Sequence, residues 1–305
     1  MRLVTPITVN SAPVLGVGTI LTATNVAEES TYTLWTAGTY TLGVRRYYGH
    51  LVYEVIIAST TDQPDTGAAA APPSWAEVQP TNRWAMFDSA ISTQTVNSAS
   101  IVVGLTPAAI INGVAAFGLV GVTFRVVMVD PTAGTVYDQT IDLQDASSVI
   151  DWYTYFFEDI QYREDVTMLD LPSYPSAVTT VTIANGTSDA KCGALVVGRQ
   201  RDLGVAVFGT SVRIKSYSVK TTDDFGNVSI TPRAYAKLAD YDVMVRTDRI
   251  YIVQRQLADI RDTVTVFVGD EDRDETVIMG FLTDFNIVLS GPVQSQMTLQ
   301  VEGLV

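Results

Sequence analysis

Pro80-Thr81-Asn82-Arg83-Trp84-Ala85-Met86-Phe87-Asp88 sets two large rings, a guanidinium and a carboxylate side by side. The stretch follows a loop rich in Pro, Ala and Gly and precedes a run of β-type segments. It holds no nucleophile–base pair, no metal-ligand spacing and no phosphate loop. We read it as the first strand of a β-sandwich spanning residues 75–218, with Trp84 and Arg83 holding that domain together.

Upstream, alternation and β-branched runs predict strands at 3–9, 18–24, 31–36 and 51–58. Leu51–Ala58 is nearly continuous in apolar residues and is expected to be buried on both faces. Residues 59–74 then read as a linker or exposed loop, so residues 1–70 form a short N-terminal β module.

Downstream, strands are predicted at 99–104, 121–129, 135–141, 152–157, 165–170, 178–184, 193–198 and 211–218, a spacing that suits a jelly roll. Asp130-Pro131-Thr132-Ala133-Gly134 is a hairpin turn. Gly113-Val-Ala-Ala-Phe-Gly118 is echoed by Gly204-Val-Ala-Val-Phe-Gly209, by a shared corner or by chance.

Residues 219–305 carry more charge, and strands at 228–234, 242–246, 263–268, 276–282, 284–290 and 296–302 suggest a barrel or split barrel. Its one helix is predicted at 249–261, where Ile250, Val253, Leu257 and Ile260 share a face. The fold class is mainly β: a jelly-roll-like sandwich, a smaller barrel with one helix, and the N-terminal module.

Composition narrows the function classes. Of 305 residues, 47% are hydrophobic but only 17% charged, so part of the surface is expected to be covered by other subunits. The net charge, 19 − 33 = −14, repels nucleic acid and anionic membranes. One cysteine and one histidine argue against His/Cys zinc sites and Cys–His or Ser–His catalysis. Cys192 is expected to be a small buried residue at a turn-to-strand junction. Met1–Pro6 has no apolar run of signal-peptide type, and the longest apolar stretch, 108–122, is broken by Asn112 and three glycines. A chain made in a cytoplasm, with no membrane insertion, is the expectation.

Two clusters hold the candidate contact residues. Trp75, Arg83, Trp84 and Asp88 have the residue types of a sugar site, where a ring stacks on a pyranose and polar forks fix hydroxyls. The alternative is that Trp84 and Phe87 plug the sandwich end while Arg83 pairs with a carboxylate, which is the commoner fate of such residues. Residues 151–165 are the densest aromatic and acidic stretch, and Tyr153 and Tyr155 are the candidate sugar or partner contacts within it. As a strand it presents rings on both faces, which implies burial between layers or at a subunit interface. Glu158, Asp159, Glu164 and Asp165 offer a glycosidase pair or metal ligands, against the reading of a solvated acidic loop. Asp270–Glu275 reads as a hairpin tip without calcium-loop spacing, and Gly16-Val-Gly18 as a turn. No catalytic, cofactor or metal residue is assigned.

Three stretches together resemble structural proteins of tailed bacteriophages: Pro80–Asp88; Val197-Gly198-Arg199 through Phe208-Gly209 to Ile214–Lys220 and Asp224–Asn227; and Gly280–Phe285 with Leu289–Pro292 and Met297–Leu304. The first two are similar to tail and baseplate proteins with a discoidin-like or carbohydrate-module-like sandwich. The third looks like the barrels of tail tubes and distal-tail rings. The resemblance covers about residues 75–305 and brings no catalytic residue. It implies a virion protein of the tail tip or baseplate, a trimeric or hexameric ring, and other tail proteins as partners. A carbohydrate-binding adhesin contacting a host surface glycan is the second expectation.

Overall fold

A computed structural model describes residues 1–11, 19–107, 109–145, 150–157, 160–223, 225–270 and 273–304. The chain is mainly β, as the sequence predicts. Period-two patterning builds the first layer. In Thr123–Asp130, Phe124, Val126 and Met128 are buried while Arg125 points to solvent. Six strands join there, in the order Gly134–Asp142, Thr123–Asp130, Val178–Cys192, Thr95–Thr106, Thr19–Thr24, Val9–Asn10. The hairpin turn falls where expected. Asp130 Oδ1 accepts the amides of Thr132 and Ala133, each at 2.9 Å, and Gly134 takes the positive φ that closes the turn.

The second layer is a ten-stranded sheet that curls into a half-barrel. From one edge it runs Val166–Met168, Gly113–Phe117, Ala194–Asp202, Arg2–Pro6, Thr265–Val268, Val277–Val288, Gln294–Gly303 and Tyr235–Arg246. Val205–Ala206 and Ser211–Ser216 both pair with that last strand. One core lies between the layers, where Ile101, Phe124 and Ile183 meet Val114, Leu195 and Val197. A second lies under helix α3, Ile250–Asp259, whose Val253 and Leu257 are buried with Ile260 just beyond its end. That is the face the helical spacing predicts. A third core includes Val4, Phe117, Val266 and Met279.

Arg2–Pro6 ties these together. Leu3 joins the core under α3 and Val4 the third core, and neither is exposed. Successive strand residues face opposite sides, so one strand feeds two cores at about 2 kcal/mol per buried aliphatic side chain. Strand pairing thus runs across both expected segment boundaries. Arg2–Pro6 lies between Ala194–Asp202 and Thr265–Val268, and Ser211–Ser216 pairs with Tyr235–Arg246. A smaller sheet lies within residues 45–80. Arg45–Tyr48, Leu51–Val55 and Trp75–Pro80 make a three-stranded sheet around Trp75, Tyr53 and Val55. Helix α1, Pro64–Ala68, closes it, within the stretch read as a linker.

Several local expectations are corrected. Residues 152–157 form helix α2, Trp152–Phe157, not a strand. Pro80–Asp88 is not a strand either: Trp75–Pro80 ends there, and a turn leads into a single 3-10 turn, Ala85–Phe87. The 51–58 run stops at Val55, leaving Ile56 and Ile57 exposed. Residues 31–36 contribute only a bridge from Leu34 to Tyr47. The strands predicted at 276–282 and 284–290 are one, Val277–Val288, with a register shift between Leu282 and Asp284. The glycine-flanked echo has two environments: 113–117 is a buried strand, whereas Val205–Ala206 is an edge strand followed by a fully exposed Phe208. Gly16-Val-Gly18 lies outside the described residues.

Candidate functional site

The Pro80–Asp88 stretch is a packed knot. Arg83 Nη1 donates to Glu28 Oε2 at 2.7 Å and its Nε to the Val26 carbonyl at 2.9 Å. Thr81 donates to the other Glu28 oxygen, and Asn82 spans both backbone groups of Val96 at 2.9 Å. Trp84 is buried, with its ring centroid 3.9 Å from that of His50 and 5.7 Å from that of Phe87. Its indole Nε1 has no partner among the described residues. Asp88 accepts from Thr93 and from the Ala90 amide, and burial pushes its carboxyl up. Trp75 lies elsewhere, in the core of the three-stranded unit, donating to the Asp62 carbonyl at 3.0 Å. The structure therefore joins Arg83 and Trp84 but not Trp75, and neither tryptophan offers an open ring face. A polar cleft of about 600 Å3 beside the knot is lined by Glu29, Asn82, Gln94 and Asn97, without an aromatic ring.

Tyr153 and Tyr155 are placed differently. Gln144–Asp145 and Gln161–Tyr162 pair as a short stem carrying α2. The helix starts by reciprocal capping: Asp151 Oδ1 accepts the Thr154 amide at 2.8 Å, and the Thr154 hydroxyl accepts the Asp151 amide at 3.1 Å. That amide bond holds the Asp151 carboxyl below its usual range. One turn later the rings meet at i, i+4. Trp152 stacks on Phe156 with centroids 6.1 Å apart, and Tyr153 lies 4.9 Å from Phe157. Trp152, Tyr153, Tyr155, Phe156 and Phe157 are all 63–77% exposed. A soluble protein seldom leaves five adjacent rings in water, so this helix is the leading candidate contact surface.

Glu158 and Asp159 lie outside the described residues. Asp165 is committed: Lys237 Nζ lies 2.6 Å from its Oδ2 and joins it to Tyr235–Arg246. Together they border a cavity of about 260 Å3 lined mainly by apolar residues, among them Ile91, Phe117, Met279 and Leu304. Among the described residues no three His, Cys, Asp or Glu side chains are grouped to hold a metal ion, and no helix is long and apolar enough to cross a membrane. Cys192 is fully buried, and burial raises its thiol to about 12.

Sequence reading missed a second exposed feature. Apart from Asp224, which is outside the described residues, every residue from 211 to 235 is exposed. Val219–Thr222 and Val228–Thr231 form a free-standing hairpin arm with Phe225 at its tip. Its alternation of valine and isoleucine with polar residues resembles a strand covered on one side, so nothing in the pattern marks it as bare. Comparison with protein-family models, with curated proteins and with solved structures finds no match to this chain.

Proposed function

We propose that this chain is a non-enzymatic structural subunit of a phage tail tip or baseplate, of the distal-tail-ring type, working as a trimeric or hexameric ring. The observation that carries the reading is the apolar surface one copy leaves bare: the five rings of α2 and the arm bearing Phe225, Val228 and Ile230. Such surface is the mark of a protein that works covered by others. The three phage-like stretches support the same reading, and two of them fall in the arm and the half-barrel.

The adhesin reading has less behind it. The polar cleft beside Asn82 offers hydroxyls and amides but no stacking ring, and the rings of Trp75 and Trp84 are buried. Labelling the protein with antibody-bound gold in purified phage particles tests the proposal. Label at the tail tip is expected. A protein missing from purified particles, by imaging and by mass spectrometry, overturns it.

A further inference from the structure

We propose that helix α2 of one copy receives the hairpin arm of a second copy. The inference rests on the reading of the chain as an assembly subunit, and it names the surface that joins two copies.

At roughly 150–250 Å2 per ring, the five exposed rings present roughly 500–900 Å2. That is one side of a standard stable interface, about 800 Å2 per partner. The surroundings carry acid, Asp151 at the helix start and Glu164 after the stem, while Asp165 is held by Lys237. The nearby Arg163 is paired with Asp274 at 3.7 Å. An aromatic patch with an acidic rim fits an apolar, cationic occupant.

The arm has that chemistry on one face. In its register Lys220 is opposite Ile230 and Thr222 opposite Val228, so all four side chains share a face. Lys220 and Arg233 make no ion pair among the described residues, whereas Arg213 and Lys215 at the root are held by Asp240 and Glu302. The arm is also preformed. Asp223 Oδ1 accepts the amides of Phe225 at 3.0 Å and Asn227 at 2.7 Å, so docking orders little chain.

Other occupants fit less well. Helices that lie in a bilayer surface flank their apolar face with Lys and Arg, and α2 has neither. A sugar needs polar forks, and beyond the tyrosine hydroxyls α2 offers only Thr154, which is locked in the cap. Stacking α2 on α2 about a two-fold axis would bring like carboxylates together. An arm-to-helix contact takes one surface from each copy and is therefore head-to-tail, the geometry that closes rings.

The test uses the full chain in analytical ultracentrifugation. Wild type is expected to self-associate. Trp152→Ser/Phe156→Ser and Lys220→Glu/Ile230→Ser are each expected to weaken that by roughly tenfold or more. Mixed together, the two variants are expected to form a heterodimer that grows no further, because each retains the surface the other lacks. That pairing also shows both variants to be folded. As a second measurement, Trp152→Cys mixed with Ile230→Cys is expected to yield a disulfide-linked dimer on oxidation. A monomeric wild type, an arm variant that associates like wild type, a mixture that neither pairs nor cross-links, or α2-dependent binding of wild type to phosphatidylcholine vesicles overturns the inference. Wild type that still assembles by another surface leaves the subunit reading standing, whereas absence from particles removes that reading.

Discussion

Arg83 is bound to Glu28 at 2.7 Å across a sequence separation of 55, and His50 and Thr81 both approach the second oxygen of the same carboxylate. The pair pins the segment after Thr19–Thr24 to the turn that leaves the three-stranded sheet. Arg83→Ala strands a part-buried carboxylate and also frees the Val26 carbonyl. We expect a loss of about 1–2 kcal/mol, the low end for charged hydrogen bonds because both side chains remain about a quarter to a third exposed. Urea titration of Arg83→Ala, Glu28→Gln and the double variant measures it. Fully additive losses would show that the pair is not coupled.

Two buried tryptophans differ in one hydrogen bond. Trp75 Nε1 donates to Asp62, while Trp84 Nε1 has no partner among the described residues. Trp75→Phe is therefore expected to cost about 1 kcal/mol more than Trp84→Phe. Equal melting temperatures for the two variants would contradict this.

Gly198 pairs with Pro6 on one side and Gly113 on the other. A Cβ there would overlap the Thr5 carbonyl, which is backbone and cannot swing aside. Gly198→Ala is expected to cost about 3 kcal/mol. Gly134→Ala, in open space at positive φ, is expected to cost about 1 kcal/mol. A reversed order of denaturation midpoints would refute the account.

Burial raises the Cys192 thiol from 9.0 to about 12. The folded chain thus keeps a proton that the unfolded chain loses. The stability this contributes is complete below pH 9.0 and falls as pH rises toward about 12. Tyr241, also raised by burial, acts in the same direction at higher pH. Urea midpoints from pH 8 to 11 are expected to fall less in Cys192→Ala than in wild type. Thiol reagents are expected to react with the unfolded chain only.

Trp152 is 77% exposed, Trp35 is half-buried, and Trp75 and Trp84 are buried. At concentrations low enough to keep the chain unassociated, iodide is expected to quench part of the native fluorescence, and Trp152→Phe to remove the larger share of that part. Quenching unchanged in the variant would mean that α2 is covered in the isolated chain.

How much of this could be read in the sequence depends on how local the deciding physics was. The Asp130–Gly134 turn and the apolar face of α3 are short-range patterns, and both stand where predicted. The alternation in Thr123–Asp130 likewise reports a half-buried strand. Helix α2 was misread because rings favour strands in general, while the Asp151–Thr154 cap that starts a helix is a weaker signal. Of the candidate contacts, Trp75 and Trp84 are core and Arg83 is an ion-pair partner, whereas Tyr153 and Tyr155 are exposed. The rings are alike in being large and amphipathic, and only packing separates the buried ones from the exposed ones. The place of Arg2–Pro6 between two distant strands has no local signature at all.

That placement has a consequence in time. Thr265–Val268, which pairs with Arg2–Pro6, is made some 260 residues after it. At about 5–20 residues per second, the two are separated by roughly 13–52 s of synthesis. For most of that interval Leu3 and Val4 have neither partner strand, because Ala194–Asp202 is itself made some 190 residues after them. The half-barrel is closed by its oldest strand, so its assembly is paced by translation as well as by packing.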